Sequence, residues 1–237
     1  MKRFLKNLVV FVGYRISKIN KLPLLNENPL KAIRSNLPNE HTVFFDIGAN
    51  EGQTISKISK IHPDAHIYAF EPSKTCFNTL QSKFKWSRLN LYNVAMGANN
   101  GSLEFHEYSW SALNSVLKRA YGTATVNETY NVDVLTVDDF CSSNNIKHIN
   151  YLKTDTEGYE LQVLKGASRM MEQNKIQFVF VEILFNQHYI GQSSFGDIYN
   201  YLKQNHFELV RFYDVEYTKI GMASKTDALF INPNFIQ

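Results

Sequence analysis

Two short stretches of this chain combine side chains and spacings suited to chemistry on a small ligand. The first is Asp46-Ile47-Gly48-Ala49-Asn50-Glu51-Gly52. Two glycines four residues apart let the chain turn tightly and let a ligand approach the backbone. A dinucleotide fingerprint needs Gly-x-Gly-x-x-Gly, and a phosphate-binding loop needs Gly-Lys-Ser/Thr. Neither occurs here. Asp46, moreover, stands where a pyrophosphate would be repelled. A ligand with a cationic amine and no phosphate fits the turn better, and S-adenosylmethionine is such a ligand.

Nineteen residues beyond Gly52 comes Glu71, followed by Pro72 and Ser73. Alone it reads as an acid flanking a helix. Paired with the upstream turn it reads as an acceptor for a ribose diol, as acids do in nucleotide-binding folds. Asn93-Val94-Ala95-Met96 then offers a small-residue edge for adenine, through Asn93 and Ala95.

The second stretch is Lys153-Thr154-Asp155-Thr156-Glu157-Gly158-Tyr159-Glu160. Asp155 and Glu157 beside a sulfonium are expected to steady its charge, orient an acceptor hydroxyl or take its proton. The plainer reading, acids favouring a helix N-terminus, suits Glu160. Glu182, in an apolar run, either lines the pocket floor or pairs with a core donor. His188 is a candidate base should its loop fold over the site, against the plainer reading of a solvated histidine. Asp155, Glu157, Glu182 and His188 are all hard or borderline metal ligands. Their spacing demands no metal, and none is assigned.

These residues need elements to hold them. His41–Ile47 is a continuous apolar run ending in Asp46 and reads as a buried parallel strand. Glu51–His62 carries Ile55, Ile58 and Ile61 at helical spacing. Strand His66–Phe70, helix Ser73–Lys85 capped by Ser73, and strand Asn90–Met96 continue the alternation. Residues 102–108 and 129–137 alternate as exposed-sided strands around a loop over 109–128 with at most one helical turn. The rhythm resumes with strand Asn150–Thr154, helix Glu160–Glu172, strand Gln177–Leu184, helix Phe195–Asn205 and strands near Glu208–Tyr213 and Asp227–Ile231. The pattern predicts an α/β, Rossmann-like doubly wound sheet, mostly parallel with an antiparallel last strand. In such a sheet the first and fourth strands flank the switch point, so both motifs face one crevice.

Composition bounds the rest. The chain has 237 residues, 44% of them hydrophobic and 20% charged, which excludes disorder and suits one sizeable domain. Two cysteines, Cys76 and Cys141, form no Cys-x-x-Cys pair, which argues against a disulfide scaffold or zinc finger and for the cytoplasm. Residues 1–34 carry eight Lys/Arg against one acid, whereas the remainder is mildly acidic. Nucleic acid is therefore not expected as a partner, since its binders carry their basic residues on the folded face. The sequence divides into a basic, apolar leader over 1–38 and a domain over 39–237. Residues 1–20 contain no run long enough to span a bilayer. They are expected either to dock on the domain or to touch an anionic membrane peripherally.

The motifs VFFDIGANEG, FEP, NVAMG, LTVDDF and YLKTDTEGYELQVLKGA together resemble the FkbM-type methyltransferases, over about residues 41–185. The resemblance implies an S-adenosylmethionine-dependent enzyme that methylates a hydroxyl of a glycan, sugar or natural product. It places the cofactor turn on Asp46, Gly48, Ala49, Asn50 and Gly52, the ribose acid on Glu71, and the reacting end on Asp155 and Glu157. Asp138-Asp139 also matches, and reads as a helix cap. Two rivals stand beside this reading: a nucleotide-dependent oxidoreductase, disfavoured by the missing glycine, and a non-catalytic membrane-surface adaptor.

Overall fold

The computed structural model describes residue 24 and residues 26–38 and 41–236. The proposed membrane contact through residues 1–20 lies outside the described residues. No helix among the described residues is long and apolar enough to cross a membrane.

Among the described residues, ten strands form two sheets: β1 (Val43–Ile47), β2 (His66–Phe70), β3 (Leu89–Tyr92), β4 (Ala95–Met96), β5 (Gly101–Tyr108), β6 (Val126–Leu135), β7 (Ile149–Thr154), β8 (Ile176–Leu184), β9 (Glu208–Tyr217) and β10 (Ala223–Ile231). The main sheet has the order β3-β2-β1-β7-β8-β10-β9. Its pairs are parallel from β3 to β8, and β10 runs antiparallel to both neighbours. The order reverses between β1 and β7, the predicted switch point. This is a doubly wound Rossmann-like sheet with an antiparallel last strand, as the pattern predicts.

Burial explains why the strands read as apolar runs. Every residue of β7 and β8 is buried, and all but the first of β1. Side chains alternate between two faces. On one face Phe45, Ile47, Leu152, Val179, Val181, Ala228 and Phe230 pack against α4 (Val137–Ser143), α5 (Glu160–Lys165), α6 (Ser168–Glu172) and α7 (Phe195–Gln204). On the other, Phe44, Tyr151, Phe178, Phe180 and Leu229 pack against α1 (Pro29–Ile33), α2 (Gln53–Ile61) and Leu80 of α3 (Lys74–Lys83). Each fully buried phenylalanine contributes on the order of 2 kcal/mol. The second face turns polar toward the carboxyl ends of the parallel strands. There Asp46 pairs with Lys153, Lys153 with Phe180, and Glu182 with Asp227 across the ladders.

Three local expectations are revised. The strand expected over Asn90–Met96 is two strands in different sheets. Asn93 separates them, its Nδ2 donating to the carbonyls of Glu71 and Pro72, and β4 then pairs with β6 in the small sheet β4-β6-β5. The helix expected over Glu160–Glu172 is broken at Gly166-Ala167. Asp138 does cap a helix, but a distant one: its carboxylate accepts the N–H groups of Arg169 and Met170 in α6, while Thr136 caps α4. Within the segment read as the leader, Leu30, Ala32 and Ile33 are buried against α2 and the sheet.

Candidate active site

The turn after β1 is shaped by three left-handed residues, Gly48 (φ 79°), Asn50 (φ 47°) and Gly52 (φ 84°). Asparagine tolerates this region better than most residues. The two glycines serve packing as well as approach. A Cβ on Gly48 would lie 1.9 Å from the Asp155 carbonyl oxygen, and one on Gly52 would lie 2.2 Å from the Phe84 ring. The two sequence motifs therefore touch through backbone, and a backbone bond from Asp155 N–H to the Ile47 carbonyl (3.1 Å) closes the contact.

Lys153 ties the same two motifs through charge. It is buried, 3.1 Å from Asp46 and 3.2 Å from Asp155, and its Nζ donates to the Gly48 carbonyl at 3.3 Å. Asp46 is completely buried and does not line the cavity; burial raises its pKa and Lys153 opposes the rise. Its reach toward the site runs through Lys153, a role the spacing of charged residues along the sequence did not disclose.

A single cavity of about 670 Å³ joins these parts. Gly48, Ala49, Asn50 and Glu71 line it together with Asp155 and Glu157 and with Tyr151, Phe180, Asp214 and Asp227. Its size is ordinary for a small-molecule site. Glu71 is 5% exposed, and its two oxygens accept the N–H groups of Asn50 (2.7 Å) and Ser73 (2.8 Å). Burial nonetheless pushes its pKa up to about 7, the two amides pulling the other way. Asp227 is raised to about 7 by burial and by Asp155.

The loop after β7 is built from its own acids. Glu157 sits in the left-handed region (φ 54°), a conformation that costs a non-glycine residue roughly 1 kcal/mol or more. Ser115 Oγ donates to its carbonyl (2.9 Å), and Tyr189 OH donates to its Oε2 (2.8 Å). Burial, then Asp155, raises its pKa to about 8. Glu160, 1% exposed, goes beyond the helix-favouring role expected of it. Its Oε1 accepts from Thr156 N–H (2.8 Å), Thr156 Oγ1 (3.0 Å) and Gly158 N–H (3.1 Å). Glu160→Ala strands two amides in a buried loop and is expected to cost about 3 kcal/mol. A melting point lower by roughly 8 °C, with faster amide exchange over 155–159, is the expected readout; Glu160→Gln, which keeps an acceptor, restores most of it.

The structure thus gathers Gly48, Ala49, Asn50, Glu71, Asp155 and Glu157 around one cavity. Asp46, buried behind Lys153, and four other predicted residues do not line it. Gly52 packs on Phe84, Asn93 holds the turn after Glu71, and Ala95 packs with Phe105, Val132 and Val134. His188 does not line the cavity: its Nε2 faces Ser224 Oγ at 3.2 Å and its ring packs against Tyr121. Burial, then Arg119, lowers its pKa. The neighbouring Tyr189 is the residue that reaches Glu157. The cavity roof was also missed. Ser111 to Val116 cross it, tied by Asn50 Nδ2 to the Ser111 carbonyl (3.0 Å), and Asn26 to Lys31 close another side.

The donor set at the turn is backbone plus the Glu71 carboxylate, which suits an amine and a ribose diol. Comparison with known proteins agrees. Residues 46–209 match the methyltransferase FkbM domain, and the chain belongs to that family. It is accordingly a methyltransferase whose cofactor is S-adenosylmethionine. Among its relatives, the 2-O-methyltransferase NoeI of Sinorhizobium fredii is 25% identical over 76% of this chain and 78% of that protein. The hexuronic acid methyltransferase AglP of Haloferax volcanii is 29% identical over 61% of this chain and 56% of that protein. A putative S-adenosylmethionine-dependent methyltransferase from Listeria monocytogenes shares the fold at 8% identity, with a TM-score of 0.50 over 90% of this chain and 99% of that one.

Proposed function

We propose that this enzyme transfers a methyl group to a hydroxyl of a sugar or glycan. The carrying observation is that one cavity is lined both by the cofactor turn, with Asp155 and Glu157, and by Tyr151, Phe180, Asp214 and Asp227, which in this reading form the acceptor arm. Aromatic faces and carboxylates together suit the apolar C–H face and the hydroxyl edge of a pyranose. That one relative is a 2-O-methyltransferase and another a hexuronic acid methyltransferase supports transfer to oxygen and a sugar acceptor.

In this reading the Gly48–Asn50 backbone holds the amino-acid end of the cofactor, and Glu71 accepts from its ribose hydroxyls. Bound S-adenosylmethionine supplies an electrophilic methyl group. Asp155 and Glu157 would align the acceptor oxygen with that methyl group, and the hydroxyl proton would leave to a carboxylate or to solvent. Alignment supplies most of the acceleration.

The test is a panel of neutral and acidic sugars and oligosaccharides incubated with labelled cofactor, the products located by mass and by methylation position. A methyl ether on a sugar hydroxyl is expected; label only on carboxyl, amine or protein sinks the reading. Asp214→Ala, an exposed change in the arm, is expected to raise acceptor KM about tenfold while leaving cofactor affinity unchanged.

A further inference from the structure

Asp155, Glu157 and Glu182 each offer a carboxylate oxygen within 4.8 Å of the others. An acidic cluster alone says little, but two features set this one apart. First, each carboxylate has one oxygen held from outside. Lys153 holds Asp155 Oδ2 at 3.2 Å, Tyr189 OH holds Glu157 Oε2 at 2.8 Å, and Lys225 holds Glu182 Oε1 at 3.3 Å. Second, the remaining oxygen of Glu182, Oε2, is buried without any hydrogen-bond partner, on a residue only 5% exposed. A buried, unpartnered carboxylate oxygen is costly unless something positive meets it.

Charge counting points the same way. Asp46, Asp155, Glu157, Glu182 and Asp227 crowd the polar ends of β1, β7, β8 and β10 and the loop after β7, and the lysines that touch them are Lys153 and Lys225. Lys225 is shared with Glu216 at 3.8 Å. When all five are ionised, these carboxylates outnumber the two lysines by three.

We propose that Asp155, Glu157 and Glu182 bind one hard divalent cation, magnesium or manganese, at the junction of the cofactor and acceptor arms. An all-oxygen donor set with neither histidine nor thiolate selects such ions over zinc or copper. Lys153, Tyr189 and Lys225 each hold one oxygen of a ligand carboxylate, as outer partners in metal sites do. Asp155 and Glu157 line the cavity, so the ion's remaining positions face it. There it would bind the acceptor hydroxyl and lower its pKa; that last role rests on the hydroxyl-methylation reading, whereas the site itself does not.

The test reads metal directly, with neither cofactor nor acceptor present. Full-length protein stripped of metal is titrated with Mn²⁺, and the free ion is followed by electron paramagnetic resonance. One Mn²⁺ per chain is expected, displaced by Mg²⁺. Glu182→Gln, which preserves shape and the Lys225 contact, is expected to weaken binding at least about tenfold, and Tyr189→Phe to weaken it by roughly tenfold. Glu71→Gln, outside the carboxylate cluster, is expected to leave Mn²⁺ binding intact. Asp155→Asn, at a half-exposed position, carries the same expectation of loss should Glu182→Gln fail to fold. Absence of stoichiometric Mn²⁺ binding by folded wild-type protein, or binding indifferent to both carboxamide changes, overturns the inference. A parallel titration with S-adenosylmethionine separates that result from failure of the methyltransferase assignment.

Discussion

Gly48→Ala is expected to lower the melting temperature by roughly 10 °C and to abolish cofactor binding in whatever protein remains folded. The added methyl would lie 1.9 Å from the Asp155 carbonyl oxygen, which is backbone and cannot swing aside. Its φ of 79° adds strain for any residue with a side chain. Relief requires β1 and β7 to part at the switch point, which would break the Asp155 N–H bond to Ile47 and pull Lys153 from one of its two carboxylates. Overpacking and lost buried pairing together cost about 3–5 kcal/mol, and a domain of this size loses roughly 2–4 °C per kcal/mol. Gly221→Ala is the control, since φ there is 85° but a Cβ would meet nothing within 4 Å. It is expected to cost only about 1 kcal/mol. Differential scanning calorimetry of the two variants decides the matter: equal shifts would mean that the turn is sensitive to conformation alone and that the β1–β7 contact is not what Gly48 protects.

This contrast bears on what the sequence could disclose. Gly48 was legible as a tight turn, and Asp155 as an acid at a strand end, because both follow from residue type and position in a βαβ rhythm. Their mutual contact was not, because it joins positions 107 residues apart. Lys153, Tyr189 and Glu160 were obscured for the same reason. Each acts by reaching across elements, and local pattern reports only the element to which a residue belongs. His188 was the local candidate for a base, yet the chain turns so that its neighbour Tyr189 points inward, and a shift of one residue is below the resolution of loop patterning. The alternation of β7 and β8, by contrast, did contain the polar end of the second face. Tyr151 and Lys153, and Phe180 and Glu182, are spaced by two, which places each pair on one side of the sheet. The small sheet was the least legible part. The run Asn90–Met96 is uniformly strand-like, and only the bonds from Asn93 Nδ2 to the Glu71 and Pro72 carbonyls mark where it changes sheets.

Cofactor affinity is expected to fall about tenfold between pH 8 and pH 6, with the bend near pH 7. The group responsible is Glu71. Burial raises its pKa to about 7 in the ligand-free protein, against the pull of the Asn50 and Ser73 amides. Asp46 pushes in the same direction as burial, and Lys153 opposes both. The ribose diol donates two hydrogen bonds, so it needs the ionised carboxylate. Above pH 7 that form is present and binding is at full strength. Below it, ligand must displace a proton, and the apparent dissociation constant rises about tenfold per pH unit, by linkage. Glu71→Gln removes the titration. Its affinity is expected to be lower by roughly 10- to 100-fold at pH 8, the worth of a charge-assisted bond, and nearly flat with pH. Isothermal titration calorimetry at a series of pH values, in buffers of different ionisation enthalpy, measures both the affinity and the proton released. The two profiles discriminate sharply. A bend that survives in Glu71→Gln would move the titrating group to Asp46, whose pKa is raised by the same burial and which would then govern binding through Lys153. A bend that vanishes, together with the loss of affinity, places the ribose on Glu71 and makes its desolvation the reason that binding is pH-dependent near neutrality.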